Sequence, residues 1–137
     1  MQAIKYSEKQ EIDFDKMLTL YQDADWTAYT NHPEVLKKAI ENSLYILTAW
    51  SNDQLVGFIR AVGDGHTIIY IQDIIVLNNF QRQGIGKELL ERVLLKYNKV
   101  RQILLLTDSK PETISFYESA GLKQTNDLNL TSFIKLN

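Results

Sequence analysis

Hydrophobic positions change period several times along the chain, and each change marks an element. Ala3 to Tyr6 alternates weakly and predicts a short first strand. Asp13 reads as a helix N-cap, because Phe14, Met17, Leu18 and Tyr21 follow at helical spacing as far as Asp23. Residues 25–32, with Trp26 and Tyr29, have no clean period and read as a loop. Pro33 suits a first helical turn, and Val35, Leu36, Ala39 and Ile40 give that helix its apolar stripe up to Asn42. Leu44 to Trp50 and Leu55 to Val62 are β-prone runs around the polar turn at residues 51–54, which predicts an antiparallel hairpin. After a turn at residues 63–66, Ile68, Ile69, Ile71, Ile74, Ile75 and Val76 form a β-branched run so continuous that burial on both faces is expected.

The period then lengthens. Ile85, Leu89, Leu90, Val93, Leu94 and Tyr97 recur at helical spacing, opposite Lys87, Glu88, Glu91, Arg92 and Lys96, so a helix should pack on the sheet. Gln102 to Thr107 predicts a strand parallel to Ile68–Val76, because strand, helix, strand is a crossover unit. Asp108 or Ser109 should cap a last helix with Pro111 in its first turn; Ile114, Phe116, Tyr117 and Ala120 supply its contacts, and Gly121 closes it in the left-handed region. Leu122 to Gln124 and Ser132 to Leu136 read as two final strands, whose exposed edge invites pairing with a second copy; a monomer stays open.

Composition narrows the function classes. A length of 137 residues, nearly half of them hydrophobic, suits one domain over 1–137. Fifteen basic against seventeen acidic side chains give no electrostatic basis for a nucleic-acid partner. The absence of cysteine excludes disulfides, thiolate metal ligands and a cysteine nucleophile. Met1 to Tyr6 lacks a signal-peptide core, and no apolar run reaches membrane-spanning length, so a cytoplasmic protein without membrane contact is expected.

The candidate chemistry lies in Gln81-Arg82-Gln83-Gly84-Ile85-Gly86, between the β-branched strand and the amphipathic helix. The first amides of a helix have no intrahelical partner and attract anions, most naturally phosphate. Gly84 and Gly86 leave room for a ligand at the backbone, and Arg82 and Lys87 add charge. The third glycine of a dinucleotide fingerprint and the Gly-Lys-Ser/Thr ending of a Walker A loop are both missing. By themselves the two glycines fit a tight strand-to-helix turn better than a ligand site, and a nucleotide-binding protein is the competing class.

With the segment Phe116-Tyr117-Glu118-Ser119-Ala120-Gly121-Leu122 added, the sequence resembles the GNAT superfamily of acyl-CoA-dependent N-acetyltransferases. Gln81, Gly84 and Gly86 fill that family's Gln/Arg-x-x-Gly-x-Gly/Ala pattern; Phe116, Tyr117, Gly121 and Leu122 fill its second. The resemblance implies an α/β fold with a mixed, mostly antiparallel sheet of six to seven strands, about four helices, and two central parallel strands splayed around the coenzyme. It implies direct acetyl transfer from acetyl-CoA to a primary amine, with no metal. The backbone of Ile74, Ile75 and Val76 would meet the pantetheine arm, and Gln81, Arg82, Gln83, Gly84, Ile85, Gly86 and Lys87 would hold the pyrophosphate.

Tyr117 would lie near the coenzyme sulfur and protonate the thiolate. A base is expected on the strand before the glycine turn, where Asp73 is the one carboxylate. By alternation Asp73 faces away from Tyr70 and Gln72 unless a bulge intervenes, so three readings stand: Asp73 reaches the site, water relays protons, or Asp73 is structural. Trp26 and Tyr29 are the candidate walls of the acceptor pocket, for an arylalkylamine, polyamine or peptide amine. The acceptor is read as a small-molecule amine, the alternatives being a protein or peptide amine, or a non-catalytic coenzyme A sensor.

Overall fold

The computed structural model describes residues 3–9 and 11–137; Met1 and Gln2, part of the expectation for the N-terminus, lie outside these. Residues up to Leu106 form one compact unit and Thr107–Asn137 a second.

The first unit holds a five-stranded sheet in the order β1-β2-β3-β4-β5, built from β1 (Ile4–Ser7), β2 (Tyr45–Ser51), β3 (Gln54–Gly63), β4 (Ile68–Val76) and β5 (Gln102–Leu104). The first four are antiparallel neighbours, and β5 joins β4 in parallel. Helices α1 (Phe14–Asp23), α2 (Thr27–Thr30) and α3 (Pro33–Glu41) precede the hairpin, and α4 (Ile85–Lys96) links β4 to β5. The stretch expected as a loop thus contains a short helix, α2, entered from Trp26. Asp13 caps α1, accepting from the Asp15 amide at 2.9 Å, and Pro33 opens α3.

Two faces can be told apart through β3. A Cβ on Gly57 would meet the Ile85 side chain at 3.4 Å, so Gly57, Ile59 and Ala61 face α4. Phe58 packs on Tyr21 of α1, and Arg60 donates to Ala39 and Ser43 at the end of α3, so the even positions face α1–α3. Met17, Leu20, Tyr21 and Leu36 fill the one layer; Ile85, Leu89, Leu90 and Val93 fill the other.

Strand β4 departs from simple two-sided burial. Arg60 pairs with Asp73 and Ala61 with Ile71, which leaves Gln72 as an extra, bulged residue. Ile69 and Ile71 are buried toward α4, whereas beyond the bulge Asp73 and Ile75 are buried toward α1–α3. Each face is closed over half the strand.

The second unit contains α5 (Pro111–Ser119) and a 3-10 turn (Thr125–Leu128). Asp108 accepts from the Lys110 amide at 3.0 Å, and Gly121, at φ +97°, closes α5 as expected: its amide bonds Glu118 and that of Leu122 bonds Tyr117. The two final strands are not formed. Leu122–Gln124 and Ser132–Leu136 have no ladder partners among the described residues, and Phe133, Ile134 and Leu136 are exposed. An isolated pair of short strands is marginal without a third neighbour. The edge on which pairing with a second copy was expected therefore has no strand to carry it.

Candidate active site

The segment between β4 and α4 is built for an anion at the backbone. A 3-10 turn (Asn78–Phe80) follows β4, and the chain then takes positive φ at Arg82 (+63°) and Gly84 (+85°). A Cβ on Gly84 would meet nothing within 4 Å, so glycine is called for there by backbone conformation rather than by crowding. Gly84 is also the N-cap of α4, and no side chain caps that end. Glu88 supplies the first amide to bond back into the turn, through the Gly84 carbonyl at 3.0 Å, so the amides of Ile85, Gly86 and Lys87 have no partner within this twelve-residue helix and are its available donors among the described residues. Arg82 and Gln83 are exposed beside them; Lys87 is exposed and loosely paired with Glu91 at 3.8 Å.

Gln81 has a different task from the glycines. Its side-chain amide donates to the Val76 carbonyl and to Asn78 Oδ1, both at 3.2 Å, which ties the turn to the end of β4. Asn78 is held from the opposite side: its backbone amide donates to Asp23 Oδ2 at 2.8 Å and its side chain to the Asp23 carbonyl at 3.2 Å. The end of α1 thereby fixes the start of the turn.

Beside the turn, β4 has an open edge. Pairing with β5 covers Ile68, Ile69 and Tyr70 and then stops, so Gln72–Val76 have no strand on that side among the described residues. Ile74 and Val76 are half-buried. Backbone groups left without a ladder partner suit an extended, amide-bearing ligand such as pantetheine.

The bulge at Gln72 decides where Asp73 goes. Cross-strand pairing puts Asp73 on the face of Tyr70, opposite Arg60 and toward α1–α3. There it is 2% exposed. Its Oδ2 accepts from Arg60 Nε at 2.8 Å and from the Tyr21 hydroxyl at 2.6 Å, while Oδ1 is buried without a hydrogen-bond partner among the described residues. Arg60, itself 4% exposed, spends a further nitrogen on Ser43 Oγ at 3.2 Å. Burial, and then the Asp73 charge, raise the Tyr21 pKa far above the ordinary phenol value.

Trp26 and Tyr29 stand against this cluster. Tyr21 meets Trp26 edge-on at 5.9 Å and Tyr29 at 5.1 Å between ring centroids. The Tyr29 hydroxyl accepts from Gln72 Nε2 at 2.8 Å, and burial, with the Asp73 charge behind it, raises its pKa. The structure thus brings Trp26, Tyr29 and Asp73 together, and adds Tyr21, Arg60 and Gln72, which sequence reasoning did not single out. Arg60 carried a signal, as the one charge within Leu55–Val62; nothing in the sequence named its partner. Tyr117 belongs to the second unit. It is half-buried, its ring packs edge-on to Phe116 at 5.0 Å, and burial raises its pKa despite a hydrogen bond with Thr107.

An antiparallel sheet with one parallel partner, an open strand edge and an uncapped, glycine-led helix start defines an α/β fold of the coenzyme A-dependent acetyltransferase type. A sequence model of the acetyltransferase (GNAT) domain matches residues 2–135, and the chain belongs to that family. It is similar to a GNAT-family acetyltransferase from Streptococcus pneumoniae TIGR4, with 34% identity, 98% of each chain covered and a TM-score of 0.89. An uncharacterized ycf52-like N-acetyltransferase from Prochlorococcus marinus is 33% identical over 85% of this chain and 66% of its own length. A Gracilaria tenuistipitata var. liui relative, an uncharacterized N-acetyltransferase, is 32% identical over 63% of this chain and 50% of its own. The chain thus spans between half and two thirds of these two curated relatives. The fold is shared, at 22% identity and a TM-score of 0.69, with an aminoglycoside acetyltransferase from an uncultured soil metagenomic sample in complex with sisomicin, with 98% of this chain and 97% of that one covered.

Proposed function

We propose that the protein is an N-acetyltransferase that moves acetyl directly from acetyl-CoA to a primary amine of a small molecule. The observation that carries this reading is the uncapped start of α4 behind Gly84, set beside the unpaired edge of β4. In it, the amides of Ile85, Gly86 and Lys87 take the pyrophosphate, with Arg82 and Gln83 alongside. The backbone of Ile74–Val76 takes the pantetheine amides, and Gln81 shapes the turn. Tyr117 donates the proton that the departing thiolate needs; a phenol is protonated at neutral pH, as a donor must be. Trp26 and Tyr29 line the acceptor side, and Asp73 is the terminal proton acceptor. The family match over 2–135 supports reading the chain as one catalytic domain. Cytoplasmic residence is part of the same proposal; among the described residues, no helix is long and apolar enough to cross a membrane.

The test is calorimetric titration with coenzyme A, followed by thiol release from acetyl-CoA against arylalkylamines, polyamines, aminoglycosides and short peptides. Binding with turnover of one amine class is expected. Binding without any turnover favours a coenzyme A sensor, and no binding overturns the assignment.

A further inference from the structure

Among the described residues, Asp73 Oδ1 is the buried side-chain atom without a hydrogen-bond partner. Such an atom carries its desolvation penalty uncompensated and calls for a reason. Oδ2 is fully used by Arg60 and Tyr21, so the two residues fix the carboxylate with one oxygen spent and the other vacant. At 2% exposure, Asp73 is also too deep for an acceptor amine to touch.

Tyr29 spans that gap. It is half-buried, and its hydroxyl oxygen already accepts the proton of Gln72, the residue before Asp73, while its own proton is directed at the Asp73 carboxylate, which interacts with the hydroxyl. The bulge sends Gln72 and Asp73 to the same side of the sheet, and the Tyr29 ring rests on Tyr21, whose hydroxyl is bonded to Asp73. The groups facing Tyr29 are Gln72 and Asp73 from β4, the more distant charge of Arg60 from β3, and the rings of Tyr21 and Trp26.

We propose that the Tyr29 hydroxyl relays the proton released by the acceptor amine to Oδ1 of Asp73, with Arg60 and Tyr21 as positioning residues. The inference rests on the acetyltransferase reading. As the neutral amine attacks the thioester carbonyl, the C–N bond forms and its nitrogen becomes a strong acid. That proton passes to the Tyr29 oxygen while the Tyr29 proton passes to Oδ1. The C–S bond breaks with its electron pair on sulfur, which takes the proton of Tyr117 to give free coenzyme A; Tyr117 then regains a proton from water, and Asp73 returns its proton to water along the same route. A relay suits Tyr29 better than free ionisation, because burial and the neighbouring carboxylate hold its proton in place at rest.

The experiment compares the parent with Tyr29→Phe, which keeps the ring contacts, using acetyl-CoA and the fastest amine of the panel. The expected result is a fall in kcat on the order of 100-fold, unchanged KM for acetyl-CoA and a smaller solvent deuterium isotope effect. Turnover within about twofold of the parent overturns the relay. Independently of any acceptor, 13C-tyrosine NMR titration of the coenzyme A-loaded protein should show Tyr29 ionising at lower pH in Asp73→Asn than in the parent; an unmoved titration overturns the proposal. Calorimetry separates the failures: coenzyme A that binds normally while these readouts fail removes the relay alone, and coenzyme A that does not bind the parent removes the acetyltransferase reading.

Discussion

At the scale of single residues, the costliest choice in the chain is a pair of opposite charges within the core. Arg60 and Asp73 are both almost wholly buried and bonded at 2.8 Å. Such a pair returns little net stability when intact, because desolvation offsets the attraction, but the loss of one partner strands the other. Arg60→Met should therefore lower unfolding stability by about 3–5 kcal/mol, and adding Asp73→Leu should restore much of it, read by urea denaturation. Equal losses in the single and double variants would mean that the pair does not act as a unit. Gln72 shows how little a residue reveals in isolation: an unremarkable polar residue in an apolar strand, it is the bulge that turns Asp73 toward Arg60.

Elements were legible where period and cap agreed. Asp13, Pro33 and Gly121 each occupy the terminus their chemistry favours. The β3–β4 turn is a further case. Gly63 has φ +135° and space for no Cβ, since one would lie 2.4 Å from the Ile68 carbonyl oxygen. Asp64 organises the rest: Oδ2 accepts the Thr67 hydroxyl at 2.6 Å, and Oδ1 the amides of His66, Thr67 and Ile68. These bonds, that of the Thr67 side chain first, hold the Asp64 pKa well below the ordinary aspartate value. A depressed folded-state pKa contributes stability that is present above the unfolded value, near 4, and lost as pH falls through the folded one. Asp64→Ala should accordingly melt below the parent at about pH 7, with the gap closing toward about pH 2. A gap independent of pH would exclude the ionised carboxylate as its source. Elements failed where pattern had no partner: Ser132–Leu136 has strand-like residues and no ladder, and the aperiodic stretch after Trp26 hides a helical turn.

For the molecule as a whole, family membership makes coenzyme A the ligand whose binding should be visible in global stability. At about 100 times its dissociation constant, a ligand of the folded state adds about 2.7 kcal/mol. Differential scanning calorimetry should show that gain with coenzyme A and none with NAD or ATP at equal concentration. An equal shift with ATP would favour the nucleotide-binding alternative, since it would place recognition in the adenine nucleotide portion that ATP and coenzyme A share.

The sequence by itself determined the local features: the order of strands and helices through β5 apart from α2, most helix termini, the glycine turn before α4, and through two spaced motifs the family. These depend on residues close in the chain, where period, φ preference and capping act directly. Tertiary structure alone decided which residues meet across distance. The one-residue bulge in β4, the halt of β4–β5 pairing at Tyr70, the Asp23–Asn78 link over 55 positions, and the orphaned Oδ1 of Asp73 all depend on register and packing between segments. A shift of a single residue reverses the face a side chain occupies, and no local preference records it.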